Sequence, residues 1–383
     1  MRAVQPLSGG VMTVDAGASG ASYAKAAGLP NPRPAIAEMY RTPEPTHEDL
    51  GAVRLDRNER LGELPTWFLD TLRKAMESSL LSAYPRQARL RRLLSEQLGV
   101  SDEQVVLTPG SDAAFKALYQ AYVRPGDRIV MLEPSYAMYP VYARMFEAEA
   151  ARVPFAADRT LDSKALLEQI DESVRLVVLA NPNQPTGTLI DPLTLRSVVE
   201  RAAEAGALIV VDEAYYPFSD STAISWVREV PQLLVTRTFS KAGGLAGLRL
   251  GYAVGHPEVI ANLAKVRTAH DINSMAILCA EQVLAHPRLI TDYVAEVGAG
   301  RLVLAERASR LGLDPLPTHG NFLLIRVTPR AEPARVVDGL RRLGLLVKGP
   351  FDAPCLAGCI RVTLGPVKLM VRVADGLERI LHD

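Results

Sequence analysis

The sequence predicts an α/β fold: a large domain with a mainly parallel sheet and helices on both faces, followed by a smaller α+β domain. Three observations lead there. From about Leu55, apolar β-like runs alternate with segments of helical period, as parallel strands joined by crossover helices require. Most runs are continuously apolar rather than alternating, which marks strands covered on both faces. Near His286 the pattern changes to one long helix followed by short strands and two more helices.

Taken in order, Met1 to Pro34 is rich in Ala, Gly, Ser and Pro and reads as a loosely held arm, so residues 1–50 are set apart. Residues 51–285 form the expected large domain. Its strands are Val105 to Leu107, Arg128 to Leu132, Leu176 to Leu179, Leu208 to Val211 and Leu233 to Thr236. Between them Asp112 to Val123, Tyr136 to Glu147 and Pro192 to Ala205 carry apolar residues at helical spacing, and Pro125-Gly126-Asp127 turns the chain into its next strand. Helices around Ala264 to Pro287 lead into the small domain, residues 286–383, which part of the N-terminal segment is expected to join. There the helices are Arg288 to Leu311, Pro333 to Leu343 and Val367 to His382, and the strands Asn321 to Val327, Leu345 to Lys348 and Cys359 to Leu364.

Composition excludes several functions. A chain of 383 residues is too long for a disulfide miniprotein or a single zinc finger. Lys plus Arg and Asp plus Glu are both 43, so no long-range field favours nucleic acid or an anionic membrane. Three cysteines, Cys279, Cys355 and Cys359, fit a reducing compartment, and the cytoplasm is the expected location. No run approaches the ~18 apolar residues of a membrane helix. The histidines show no metal-ligand spacing, so no metal is expected.

In open α/β sheets ligands collect at the carboxyl ends of strands, and four such loops stand out. Thr108-Pro109-Gly110-Ser111-Asp112-Ala113 turns on a glycine into a helix whose free N–H groups suit a phosphate. Asn181-Pro182-Asn183-Gln184-Pro185-Thr186-Gly187 and Asp212-Glu213-Ala214-Tyr215 follow two buried runs, and Thr238-Phe239-Ser240-Lys241 begins a glycine-rich stretch ending in Leu248-Arg249-Leu250-Gly251. Singly each is ordinary: a helix cap, a turn, a solvated acid, a surface lysine. Their order and spacing together are not.

From about Leu55 to the C-terminus, with its Ser-Lys-x-x-x-x-Ala-Gly-Leu-Arg-x-Gly stretch, the sequence resembles the fold type I pyridoxal-phosphate enzymes, class I/II aminotransferases of the histidinol-phosphate aminotransferase group. The resemblance implies an aspartate aminotransferase-like fold, the cofactor pyridoxal 5'-phosphate, and transfer of an amino group between an amino acid or amino-phosphate donor and a 2-oxo acid. It implies that Lys241 carries the cofactor as a Schiff base and moves the substrate proton, its pKa lowered by burial and neighbouring cations, with Arg249 the expected source of field. It further implies that Asp212 keeps the pyridine nitrogen protonated and that Tyr215, joined by an amide from Asn183 or Gln184, bonds the ring oxygen. Tyr136 is the stacked aromatic. Ser111, Asp112, Thr238, Ser240 and Arg249 hold the phosphate, Arg361 grips the substrate's acidic group with Asn321 beside it, and Tyr84 reaches the phosphate of a neighbouring subunit in a homodimer.

The pattern departs in places. The family's Asn-Glu-Asn-Pro-Tyr-Gly is replaced by Asp56-Arg57-Asn58-Glu59-Arg60-Leu61-Gly62-Glu63, so the tyrosine's substrate contact is expected either to be missing or to be replaced by Arg60. Lys348 occupies a position where an arginine is usual. Because the same electron sink serves other bond cleavages, decarboxylation, elimination or cyclisation of an amino acid is the alternative activity.

Overall fold

A computed structural model describes residues 31–37, 39 and 51–382. The expected N-terminal arm therefore lies almost wholly outside the described residues. Seven strands form the main sheet: β2 (Val105–Thr108), β3 (Arg128–Glu133), β4 (Glu149–Pro154), β5 (Val174–Ala180), β6 (Leu208–Asp212), β7 (Leu233–Thr238) and β8 (Gly251–Val254), after a two-residue β1 (Val53–Arg54). Their spatial order is β2-β8-β7-β6-β5-β3-β4. Every pairing from β7 to β4 is parallel, and β8 runs antiparallel to both its neighbours.

Successive residues of the central strands feed opposite faces of this sheet. Val177, Leu179, Val211 and Val235 enter one core, while Leu176, Val178, Val210 and Leu234 enter the other. The strands are continuously apolar because each face needs its own set of side chains. β4 escapes that pattern, being an edge strand that turns Glu149 and Arg152 to solvent. β8 starts on Gly251, the end of the glycine-rich stretch, and its strand signal is confined to Tyr252-Ala253-Val254.

Beyond the helix Arg288–Arg310, β9 (Asp314–Leu316), β10 (Phe322–Arg326) and β12 (Cys359–Thr363) make a second, antiparallel sheet. β11 (Leu345–Leu346) pairs with β1 instead, so the 53–55 segment joins a third core that includes Leu55, Tyr293, Leu304, Leu323, Ile325, Leu340, Val362 and Leu377. The strand expected to reach Lys348 ends at Leu346; Lys348 exchanges backbone hydrogen bonds with Arg361 as an isolated bridge. Among the described residues no helix is long and apolar enough to cross a membrane, and no cluster of three or more His, Cys, Asp or Glu is placed to hold a metal.

Candidate active site

A cavity of about 310 Å³ opens where β2, β5, β6 and β7 end, faced by Arg361 of β12 and by the segment that follows β1. Ser111, Asp112, Tyr136, Gln184, Asp212, Tyr215, Thr238, Ser240, Lys241, Arg249 and Arg361 all line it. Residues that are distant in sequence therefore meet at the sheet's carboxyl edge, as strand topology dictates.

Asp212 ends β6 and is 5% exposed. Its Oδ2 accepts from the Tyr139 hydroxyl at 2.8 Å and its Oδ1 from Thr236 Oγ1 at 2.9 Å. Burial raises the carboxyl pKa to about 6, and these two donors hold it from rising further. Tyr215, three residues on, is buried, and burial lifts its phenol to about 12. The Tyr215 hydroxyl accepts from Asn58 Nδ2 at 2.8 Å.

Lys241 Nζ donates to the Arg57 carbonyl at 3.1 Å. Its pKa falls to about 8, first through burial, then through Arg361, with Glu59 opposing and Arg249 a smaller contributor. Arg249, the expected source of field, does contribute, and Arg361 contributes more.

The helix Ser111–Tyr122 starts without a side-chain cap, so its first N–H groups remain free to meet an anion. Gly110 precedes it at φ +77°, and a Cβ there would sit 2.8 Å from the Arg249 guanidinium. Gly251 allows the other close approach: its Cβ would fall 2.5 Å from the Ser111 nitrogen. Thr238 Oγ1 donates to Ser240 Oγ at 3.0 Å, so two hydroxyls flank the same corner. Burial raises the Asp112 carboxyl, with hydrogen bonds from Tyr142 and Tyr136 and the charge of Arg249 countering.

Arg361 is 5% exposed, donates to the Asp56 carbonyl at 2.6 Å and lies 5.5 Å from the Phe322 ring centroid. Its Nε finds no hydrogen-bond partner among the described residues. That leaves one buried donor of a cavity-lining guanidinium without a protein acceptor.

Three expectations need correction. Asn183 does not line the cavity, because its amide nitrogen donates to the Pro134 carbonyl and Thr186 and its oxygen accepts from Ser135. Gln184 is the amide that faces in. Asn321 is fully buried one layer back, donating to the Asn58 carbonyl at 3.1 Å. Arg60 does not line the cavity either: its guanidinium packs 4.1 Å over the Tyr293 ring and donates to the Leu289 carbonyl. Tyr84, expected to serve a neighbouring subunit, stands away from its own chain's cavity at 78% exposure, stacked on His270. Sequence reasoning missed Asn58, Arg57, Tyr139 and Thr236. Thr236 alone carried a local signal, since it faces Asp212 in the register of two neighbouring strands.

The family model for aminotransferase class I and II matches residues 50–377. A histidinol-phosphate aminotransferase from Burkholderia lata is 36% identical over 349 residues, covering 90% of this chain and 96% of that protein. Another from Dehalococcoides mccartyi is 33% identical over 348 residues, covering 90% and 93%. Among solved structures, histidinol-phosphate aminotransferase from Sinorhizobium meliloti in complex with pyridoxal-5'-phosphate aligns with a TM-score of 0.83 at 25% identity, covering 93% of this chain and 99% of that one. Thermus thermophilus aspartate aminotransferase with maleate shares the fold at a TM-score of 0.78 and 22% identity, over 92% and 100%. The chain belongs to the class I and II aminotransferases, and it is a pyridoxal-phosphate-dependent enzyme that moves an amino group between a donor and a 2-oxo acid.

Proposed function

We propose that the amino donor carries an acidic end held by Arg361, with a phosphate ester such as histidinol phosphate the leading candidate. The reading rests on one cavity that contains both a lysine amine of lowered pKa and a buried guanidinium with an unpartnered Nε. Lys348 and Arg57 add positive charge beside Arg361, with Asp56 as the nearby counter-charge.

The residues fit pyridoxal 5'-phosphate by their donor sets: an uncapped helix start and Arg249 for its phosphate, a buried carboxylate for its ring nitrogen, and an amine for its aldehyde. When bound, the cofactor supplies a conjugated cationic ring that takes up charge from the substrate carbon losing its proton. Lys241 binds it and, once released, accepts and returns that proton; an amine near pH 8 keeps a working unprotonated fraction at neutral pH. Asp212 pairs with the ring nitrogen, and Tyr136 covers the ring face. Because Tyr215 already accepts from Asn58, its own hydrogen is free to donate toward the ring oxygen, with Gln184 supplying the companion amide. Ser111, Asp112, Thr238, Ser240 and Arg249 hold the phosphate.

The functional unit in this reading is a homodimer. Tyr84 borders a groove with Leu80, Ile277 and Leu278, and Leu81, Met76 and Trp67 are exposed nearby in sequence, an apolar surface suited to a second copy. Across that interface Tyr84 would reach the neighbour's phosphate. The active site then lies between two domains, residues 51–285 and 286–383, and the three free, buried cysteines suit the reducing cytoplasm.

The test is a half-reaction. Purified protein is mixed with histidinol phosphate, other amino-phosphates and common amino acids, and the visible spectrum is followed for conversion of the cofactor from its aldehyde to its amine form. Fast conversion restricted to acidic-ended donors, and lost in Arg361→Gln, is the expected result. Equal rates with neutral-ended donors would reject the donor class, and a cofactor spectrum unchanged in Lys241→Ala would reject the lysine.

A further inference from the structure

We infer that Tyr139 is a positioning residue that sets Asp212 and Tyr136 relative to each other, so that one buried side chain aligns the acid at the edge of the cofactor ring with the aromatic on its face. The inference rests on the reading of Asp212 as the partner of the ring nitrogen. Tyr139 is fully buried in the first turn of the helix Met138–Met145. Its hydroxyl meets Asp212 Oδ2 at 2.8 Å, and its ring stands edge-on to Tyr136 at 5.5 Å and 80°. Behind it, Phe115 packs at 5.0 Å and leaves the ring little room to turn.

Thr236 completes the arrangement. It lies beside Asp212 in the β6–β7 register, and its hydroxyl takes the other carboxylate oxygen at 2.9 Å. Both oxygens are therefore bound by protein donors, and rotation of the carboxylate would break both bonds. The other groups acting on Asp212 are the backbone N–H of Ala214, the like charge of Asp112, the phenols of Tyr136 and Tyr215, and the ammonium of Lys241.

A phenol suits this place chemically. Burial and the neighbouring carboxylate push Tyr139 well above its ordinary value, so it donates a hydrogen bond without giving up its proton. A donor of that kind favours the carboxylate over the carboxylic acid. A histidine at this point would itself titrate, and a phenylalanine would keep the packing while leaving Oδ2 bare.

The experiment measures the Kd of pyridoxal 5'-phosphate for the apo-protein against pH, by absorbance titration, with no turnover involved. Affinity is expected to weaken on the acid side as Asp212 takes a proton. In Tyr139→Phe this acid limb moves to higher pH by about one to two pH units, the size of one hydrogen bond to a buried charge. Site-specific 3-fluorotyrosine at position 139, a stronger donor of nearly the same size, moves it to lower pH and preserves the packing if the phenylalanine variant does not fold. A limb unmoved in both variants but absent from Asp212→Asn overturns the role of Tyr139. A limb that persists in Asp212→Asn overturns the underlying reading of Asp212, and the inference with it.

Discussion

Asn58 donates its side-chain amide to the Tyr215 hydroxyl at 2.8 Å across 157 residues of sequence. Its backbone N–H donates to Thr363 Oγ1, its side-chain oxygen accepts from the same hydroxyl, and its carbonyl accepts from Asn321. The segment after β1 is thus bolted to β12 on one side and to the cavity-lining Tyr215 on the other. Asn58 also sits at φ +55°, where asparagine is among the tolerated residues.

Two substitutions separate these effects. Asn58→Ala loses buried hydrogen bonds worth about 1–3 kcal/mol and adds left-handed strain of about 1–2 kcal/mol. Asn58→Gly loses the bonds without the strain, at a backbone-entropy cost of about 0.5–1 kcal/mol. Urea midpoints should rank wild type above glycine above alanine, and both variants should weaken cofactor affinity; equal midpoints for glycine and wild type would refute the bonding role.

The lowered amine of Lys241 predicts a pH profile. Pyridoxal 5'-phosphate condenses with the unprotonated amine, so its rate of incorporation into apo-protein should rise with pH to a midpoint near 8. Arg361 follows burial as the cause of the lowering, so Arg361→Met should shift the midpoint upward, because removing a positive neighbour makes the ammonium easier to form. Stopped-flow absorbance measures it, and a midpoint left in place would dissociate the two residues.

Gly110 is expected to resist substitution for two separable reasons. At φ 77° and ψ 165° it occupies a region essentially reserved for glycine, so alanine strains the backbone by about 1–3 kcal/mol. Its new methyl would also displace the Arg249 guanidinium, 2.8 Å away. Gly110→Ala should weaken pyridoxal 5'-phosphate at least tenfold and leave pyridoxal, which lacks the phosphate, within about twofold. Parallel losses for both ligands would mean that the cradle is not at this helix start.

The residue after Asp212 serves stability. Glu213 has a fully buried side chain, its Oε2 pairs with Arg237 at 2.8 Å, and it accepts from Thr222 and the Ala223 N–H. Glu213→Gln leaves a buried guanidinium without its counter-charge and should cost about 3–5 kcal/mol in unfolding free energy. Adding Arg237→Met should recover part of that loss, and chemical denaturation of the single and double variants measures the difference.

Much of the fold was legible because buried parallel strands must be apolar on both faces. That requirement marked Val105 to Leu107, Leu176 to Leu179, Leu208 to Val211 and Leu233 to Thr236 within one or two residues of their observed ends. It could not mark β4, whose edge position lets charged residues face water, or the two-residue β1, which pairs with β11 across most of the chain. The functional loops were legible for a related reason: they follow the strands, and chemistry at a sheet's carboxyl edge draws on what comes directly after each strand.

The local chain by itself determined the strand-and-helix alternation, the lysine, the acid and the glycine turn proposed to hold a phosphate, since each depends on residues within a few positions of one another. Tertiary structure decided which groups complete them. Asn58 reaches Tyr215, Tyr139 reaches Asp212 and Arg361 reaches the field of Lys241 only after β6, β12 and the segment following β1 are brought together. It also chose Gln184 over Asn183, whose amide is consumed by Pro134, Ser135 and Thr186. The physical reason is that a buried polar atom must find its partner in three dimensions, and nothing in the spacing of residues along the chain records which partner that is.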